Sequence, residues 1–400
     1  MVSLVSWLDV SAEEHRRMRE LAALFELGEA REELGLASLR DDIADALFPG
    51  TSTLHTRARY TLIVPWCFQA AAKAGGSMED LARVERQAIE TLRNSKLEIP
   101  GLLGRTAGAG LKTLPSSLYW SALQRWGIVA ERMSRPDALA NSRDRRHDAE
   151  DESNDQTESI WDVLPAPDGF PKRIDGGLDL TPAEQVWLRE RLLTSAPDSL
   201  LAHFAKHAPS AESSAPWDDP AALDAPSRVR ELLELARGFS ALMHGAQLLY
   251  NLLLAEARLA ARPNDASFQE SVPLFRAALT SWAQHEDLAT TLEGWRLEAL
   301  EGALRGVLAR PRKTDDDTAD FVRQWQRLMN GRDLNGVADD DLARELVARR
   351  ELHVKGTKAR LRSERRLLSW GGSSGAGALT YRWGTVRGLM LDIHAGAASV

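Results

Sequence analysis

The stretch Gly50-Thr51-Ser52-Thr53, followed by His55, Arg57 and Arg59, carries the groups that hold an anion: backbone amides near a turn, hydroxyls and guanidiniums. A nucleotide-hydrolysing P-loop also needs a second glycine followed by lysine and Ser/Thr, and neither is present. Two uses remain. One is contact with an isolated phosphate. The other is structural, with hydroxyls capping a helix and the arginines paired to Asp41, Asp42 or Asp45 just upstream. Arg57 and Arg59, two residues apart, diverge on a helix, whereas His55 and Arg59 share a face. These features favour the structural use, with at least one of the two arginines on one of the three aspartates.

Two histidine motifs fall short of catalysis. His203 and His207 lie one helical turn apart, but Phe204 stands where a zincin has its glutamate, and no third ligand is in view. His353 and Lys355 open like the His-x-Lys motif of phospholipase-D-type nucleases, in which histidine is the nucleophile and lysine holds the phosphate. Arg360 occupies the position of the required aspartate, and the motif has no second copy. Cys67, the one cysteine, sits between Trp66 and Phe68 and reads as a small buried hydrophobe in a reducing compartment. No catalytic residue, metal ligand or cofactor is assigned.

The strongest electrostatic feature is near the C-terminus. The whole chain has a net charge of −8, which excludes a globally basic nucleic-acid coat. From Ala343 to Arg387 the balance inverts, with eleven Lys/Arg against three Glu. Lys355, Lys358, Arg360, Arg362, Arg365, Arg366 and Arg382 suit a phosphate backbone, and Trp370, Tyr381 and Trp383 around a Gly-Ser loop suit base stacking. Arg57, Arg59, Arg105 and Lys112 are candidate auxiliary contacts. The alternative use of the same charge is docking onto an acidic segment or a partner protein.

These residues must be positioned by helices. Apolar residues make up 44% and charged ones 27% of the 400 residues, ample for the cores of two or three domains. Ser11 with Glu14, Ser77 with Asp80, and Thr181 with Glu184 are capping boxes, the last with Pro182 in the first turn. A short helix is expected from Ser38 to Phe48, and another from caps at Thr51 to Thr53. Pro115 opens a helix whose face is Leu118, Tyr119, Ala122, Leu123 and Trp126. Residues 227–260 read as one long helix, striped by Leu232, Leu235, Phe239, Leu242, Ala246, Leu249 and Leu253. It is apolar nearly all round near its middle, with His244, Tyr250 and Asn251 as a core polar network. Gly238 and Gly245 share a face and allow another helix close.

The expected fold class is mainly α, a multi-helix bundle in two or three subdomains. A small winged-helix-like unit after the glycines of residues 101–110, and short C-terminal strands in Gly377-Ala378-Leu379-Thr380-Tyr381-Arg382-Trp383, are candidate additions. Residues 137–158 are acidic and lack Phe, Tyr, Trp, Val and Ile, which predicts a disordered linker. This gives an N-terminal helical domain (1–136), the linker, a central bundle (159–313) and a basic C-terminal region (314–400). Shorter breaks are expected at 207–227 and 308–320. The N-terminus lacks the basic start of a signal peptide, and no run is long and apolar enough to span a bilayer, so a cytoplasmic protein is expected.

Several of these stretches together resemble a family of bacterial proteins of about 400 residues and unknown function. They are Ser6-Trp7-Leu8-Asp9-Val10-Ser11, residues 32–66, residues 114–128, residues 239–256, and residues 355–361 and 368–393. The resemblance covers nearly the whole chain and carries over no functional residue. It implies genes near helicases, nucleases or methyltransferases in anti-phage defence islands. The function expected from both lines is a non-catalytic accessory protein of a defence or DNA-processing system that binds nucleic acid through its basic C-terminal region, within an operon-encoded complex. The alternatives are a scaffold for a helicase or nuclease partner without DNA contact, and a nuclease with an unrecognised site.

Overall fold

The structure is a computed structural model and describes residues 33–95, 98–150, 160–265 and 268–395. The helix expected after Ser11 lies outside the described residues. The described residues are mainly helical, and no strand occurs among them. The expected C-terminal strands are therefore turns and extended chain. The winged-helix-like unit also falls, since a wing is a β-hairpin and residues 101–114 form turns and one 3₁₀ segment.

In chain order the helices are α1 (Ala37–Leu47), α2 (Tyr60–Ala74), α3 (Met78–Arg93), α4 (Pro115–Arg125) and α5 (Arg135–Glu150). There follow α6 (Pro182–Ser195), α7 (Leu200–Lys206), α8 (Ser227–Ala261), α9 (Ser271–Ala283) and α10 (Leu288–Leu292). The last are α11 (Leu297–Val307), α12 (Asp316–Met329), α13 (Asp341–Lys355), α14 (Glu364–Leu368) and α15 (Trp383–His394). The caps at Ser77 and Thr181 form the reciprocal boxes their spacing predicts. Asp315 and Asp340 cap α12 and α13 without a reciprocal partner, their carboxylates accepting from the amides of Thr318 and Ala343.

Two compact units result. Unit one takes its described residues from Met1–Ile43 and Glu234–Tyr381, and unit two from Ala44–Leu233 and Arg382–Val400. The sequence reading divides the chain into consecutive domains at breaks in composition. The observed units each combine two separated stretches, because helix packing pairs distant segments that composition does not mark.

Unit two is built on α2, which is buried over most of its length and packs on α3, α4 and α5. Helix α5 runs through the first half of the expected linker, where the indole of Trp161 donates to Ser142. The linker expectation is thus corrected up to residue 150, and residues 151–159 lie outside the description. The break at 207–227 is also ordered. Buried Asp219 accepts from Ser210 N, Ser213 Oγ and Ala221 N at 2.7–3.0 Å. The C-terminal helix α15 packs on α6 and α7.

Unit one is organised by the part of α8 that belongs to it. Trp282, Trp295 and Trp325 donate their indole N–H to the carbonyls of Ala241, Leu235 and Leu242, and Tyr381 Oη donates to Ala236 O. The sequence reading expects Gly238 and Gly245 to admit a neighbouring helix. What they admit is indole: a Cβ at Gly238 would lie 2.3 Å from Trp295, and one at Gly245 would lie 2.4 Å from Trp282. His244, Tyr250 and Asn251 do form polar contacts, as expected for buried polar groups.

Candidate functional site

The first candidate is the Gly-Thr-Ser-Thr stretch in unit two. The expected helix start at Thr51–Thr53 is not formed, and α2 begins only at Tyr60. Thr51 gives its hydroxyl to Phe48 O at 2.7 Å, and Thr56 gives its own to Gly101 O at 2.6 Å. The amides of Thr56 and Arg57 are held by Tyr119 Oη at 2.8 and 3.1 Å. No helix N-terminus is left open to a phosphate here.

The arginines are consumed as well. Arg57 Nε donates to both oxygens of Asp392 at 3.0 Å, its Nη2 donates to Asp179 at 2.7 Å, and its Nη1 donates to Pro100 O. The amide of Ala58 donates to the same Asp392 carboxylate at 2.9 Å. Burial opposes the charge of Arg57, but its hydrogen bonds to Asp392 and Asp179 outweigh that and raise its pKa. Burial also pushes the Asp392 carboxyl up. These two directions conflict for one pair. The geometry decides for the ionised pair, because each of these contacts on Asp392 comes from an N–H donor.

Arg59 is buried and bonds Glu184 from Nε and Nη2 at 3.3 and 3.0 Å, with Nη1 on the carbonyls of Asp175 and Gly177. Glu184 is also the capping-box residue of α6. The expected pairing with the upstream aspartates is therefore corrected. Asp41 pairs with Arg40, Asp42 with Arg312, and Asp45 with Arg382. Ion pairing is the fate the residue types suggested, but the partners lie more than a hundred residues away. Arg382, a non-glycine residue at φ 69°, is held in the same manner, its guanidinium donating to Asp45 and Thr51 O at 2.8 Å. Arg57, Arg59 and Arg382 are not available to a nucleic acid. In unit two Arg105 and Lys112 remain exposed, Arg105 at 3.7 Å from Glu98.

The histidine motifs resolve into local contacts. His203 Nε2 sits 2.7 Å from Ala221 O, with its ring 4.6 Å from that of His207. His353 is exposed and pairs with Asp317, while Lys355 turns inward, so the two cannot act together on one phosphate. Burial pushes the Cys67 thiol well above its ordinary range. Burial also lowers His55 and His244 to about 4, so both are neutral at physiological pH. Among the described residues no group of three or more His, Cys, Asp or Glu is placed to hold a metal ion, and no helix is long and apolar enough to cross a membrane.

The basic segment of unit one splits into an inner and an outer set. Glu351, fully buried on α13, accepts Tyr250 Oη at 2.7 Å and the amides of Arg360 and Leu361 at 2.8 and 3.1 Å. It thereby folds the chain that leaves α13 back onto the helix. Lys355 donates to Tyr250 Oη at 2.8 Å and pairs with Glu33, which Arg360 also meets at 3.1 Å. Burial, then the Glu351 charge, raises the Tyr250 phenol, which stays protonated. Lys355 and Arg360 thus serve the fold. Lys358, Arg362, Arg365 and Arg366 form the outer set. All four are exposed, and none has a carboxylate partner among the described residues.

The expected stacking platform is corrected. Trp370 is 2% exposed, and Tyr381 and Trp383 are buried, so no ring face there meets a base. The Gly-Ser loop is pinned by hydrogen bonds. Asn251 exchanges two bonds with the backbone of Ser374 at 2.8 and 2.9 Å, and His244 Nε2 lies 3.1 Å from Ala376 O. Arg258 closes the segment, donating to the carbonyls of Leu367, Leu368 and Trp370. Sequence reasoning missed Asp392, Glu184, Glu351 and Glu33. Glu184 is marked in the sequence only as a capping-box residue, and the other three are carboxylates among 58 acidic residues that only contact distinguishes.

No curated protein matches the chain, and no solved structure does. A family model described as a family of unknown function, DUF6361, matches residues 2–396. That match spans both units and every element described above, and it agrees with the resemblance carried by the sequence motifs. The chain belongs to this family of unknown function, DUF6361.

Proposed function

We propose that this chain is a non-catalytic accessory protein that binds the phosphate backbone of nucleic acid through Lys358, Arg362, Arg365 and Arg366 of unit one. The observation that carries the reading is the sorting of the basic segment. Its inner cations are satisfied by Glu33, Glu351 and Tyr250, whereas these four are exposed without a carboxylate. Unneutralised exposed cations in a chain of net charge −8 form a local anion-attracting surface. The setting proposed is a DNA-processing or anti-phage defence complex.

The test is fluorescence anisotropy with labelled DNA at low salt. The wild type binds. A variant carrying Lys358→Glu, Arg362→Glu, Arg365→Glu and Arg366→Glu loses binding while keeping its melting temperature, because these exposed side chains make no hydrogen bond or ion pair among the described residues. Equal binding by both proteins would overturn the assignment.

A second reading, docking of a protein partner, is favoured by α13. Leu342, Leu352 and Val354 are 57%, 38% and 40% exposed on it. Co-purification of a partner that is lost on Leu342→Asp, with DNA binding intact, would favour that reading.

A further inference from the structure

We infer that the outer basic set of unit one takes duplex rather than single-stranded nucleic acid, through phosphates alone. This rests on the nucleic-acid reading above and names its substrate class.

Sites for single strands combine a positive groove with aromatic faces on which successive bases stack. In this region the rings of Trp370, Tyr381 and Phe275 are inside. Trp370 packs against Phe268 and Phe275, with centroids 5.7 and 6.3 Å away. Tyr381 is buried and spends its hydroxyl on Ala236 O. The six exposed large hydrophobic residues among the described ones are all leucine or valine. Presenting Trp370 would require opening a loop that Asn251, His244 and Arg258 hold by backbone hydrogen bonds.

What faces outward is charge without a stacking plane. Such a surface follows charge density, and a duplex carries one negative charge per about 1.7 Å of axis, against about 3.4 Å for one of its strands. Four cations neutralise at most four phosphates. The slope of log K against log salt on duplex is then about −3.6, and affinity falls about 150-fold between about 50 and about 200 mM salt.

The experiment titrates the full chain into a short labelled duplex of mixed sequence and into each of its separated strands, across that salt range. Anionic phospholipid vesicles form a third arm. The expected result is tighter binding to duplex, a slope near −3.6, and loss of both in the fourfold glutamate variant. Single strands bound as tightly as duplex, or more tightly, would overturn the duplex inference while leaving the nucleic-acid reading in place. Binding to neither nucleic acid, with or without binding to vesicles, would overturn that reading itself.

Discussion

Two sets of arginines, one in each unit, do opposite work. In unit two, Arg57, Arg59 and Arg382 are turned into the protein, onto Asp392, Asp179, Glu184, Asp45 and backbone carbonyls. In unit one, Arg362, Arg365 and Arg366 face solvent without a carboxylate. The residue type is the same, and its local spacing is equally suggestive of phosphate binding. What separates the two is whether a carboxylate from elsewhere in the chain reaches the guanidinium before solvent does. A buried guanidinium must be paired, since an isolated buried charge is prohibitively costly. An exposed one has no such requirement and stays open to a ligand.

The contrast can be broken at its strongest point. Arg59→Met would leave the Glu184 carboxylate buried without its guanidinium and strip two carbonyls of their donor. The expected loss is about 3 kcal/mol of stability, read by chemical denaturation. A cost below about 0.5 kcal/mol would mean that the clasp is ornamental and that Arg59 is spare for another role.

Acid sharpens the comparison. His55 in unit two and His244 in unit one have folded pKa values lowered to about 4 by burial, below the ordinary 6.5. Between these values the unfolded chain binds more protons, so stability falls as pH drops from 6.5 towards 4. Each histidine contributes roughly 2–3 kcal/mol of that loss. Glu85, which burial pushes up to about 6, works the other way and adds stability as pH falls through 6. His55→Gln and His244→Gln should each flatten the pH dependence of the denaturation midpoint.

The smallest effect belongs to the outer set. Arg365→Ala should change stability by less than about 0.5 kcal/mol and make the salt slope shallower by about 1. A stability loss as large as that of Arg59→Met would show that the outer set also holds the fold, and the two regions would no longer differ in kind.

The helices were legible because their signals are local. The capping boxes at Ser77 and Thr181, the Pro115 start and the long helix from Ser227 need only neighbouring residues to form. The start of α2 was misplaced for a tertiary reason. Tyr119 and Asp392 capture the backbone of residues 56–58 in a turn, and neither residue is near them in sequence. Residues 137–150 looked too polar to order, yet they form α5, which packs on α2.

By itself, then, the sequence determined a mainly helical chain, family membership, and a basic segment in an acidic protein, because propensity, capping and charge are properties of short stretches. Only the tertiary structure decided which cations are spent and which are free, and that Trp370, Tyr381 and Trp383 are core rather than platform. Those outcomes depend on carboxylates and carbonyls brought in from distant segments. A guanidinium carries no mark in the sequence of whether such a partner will arrive.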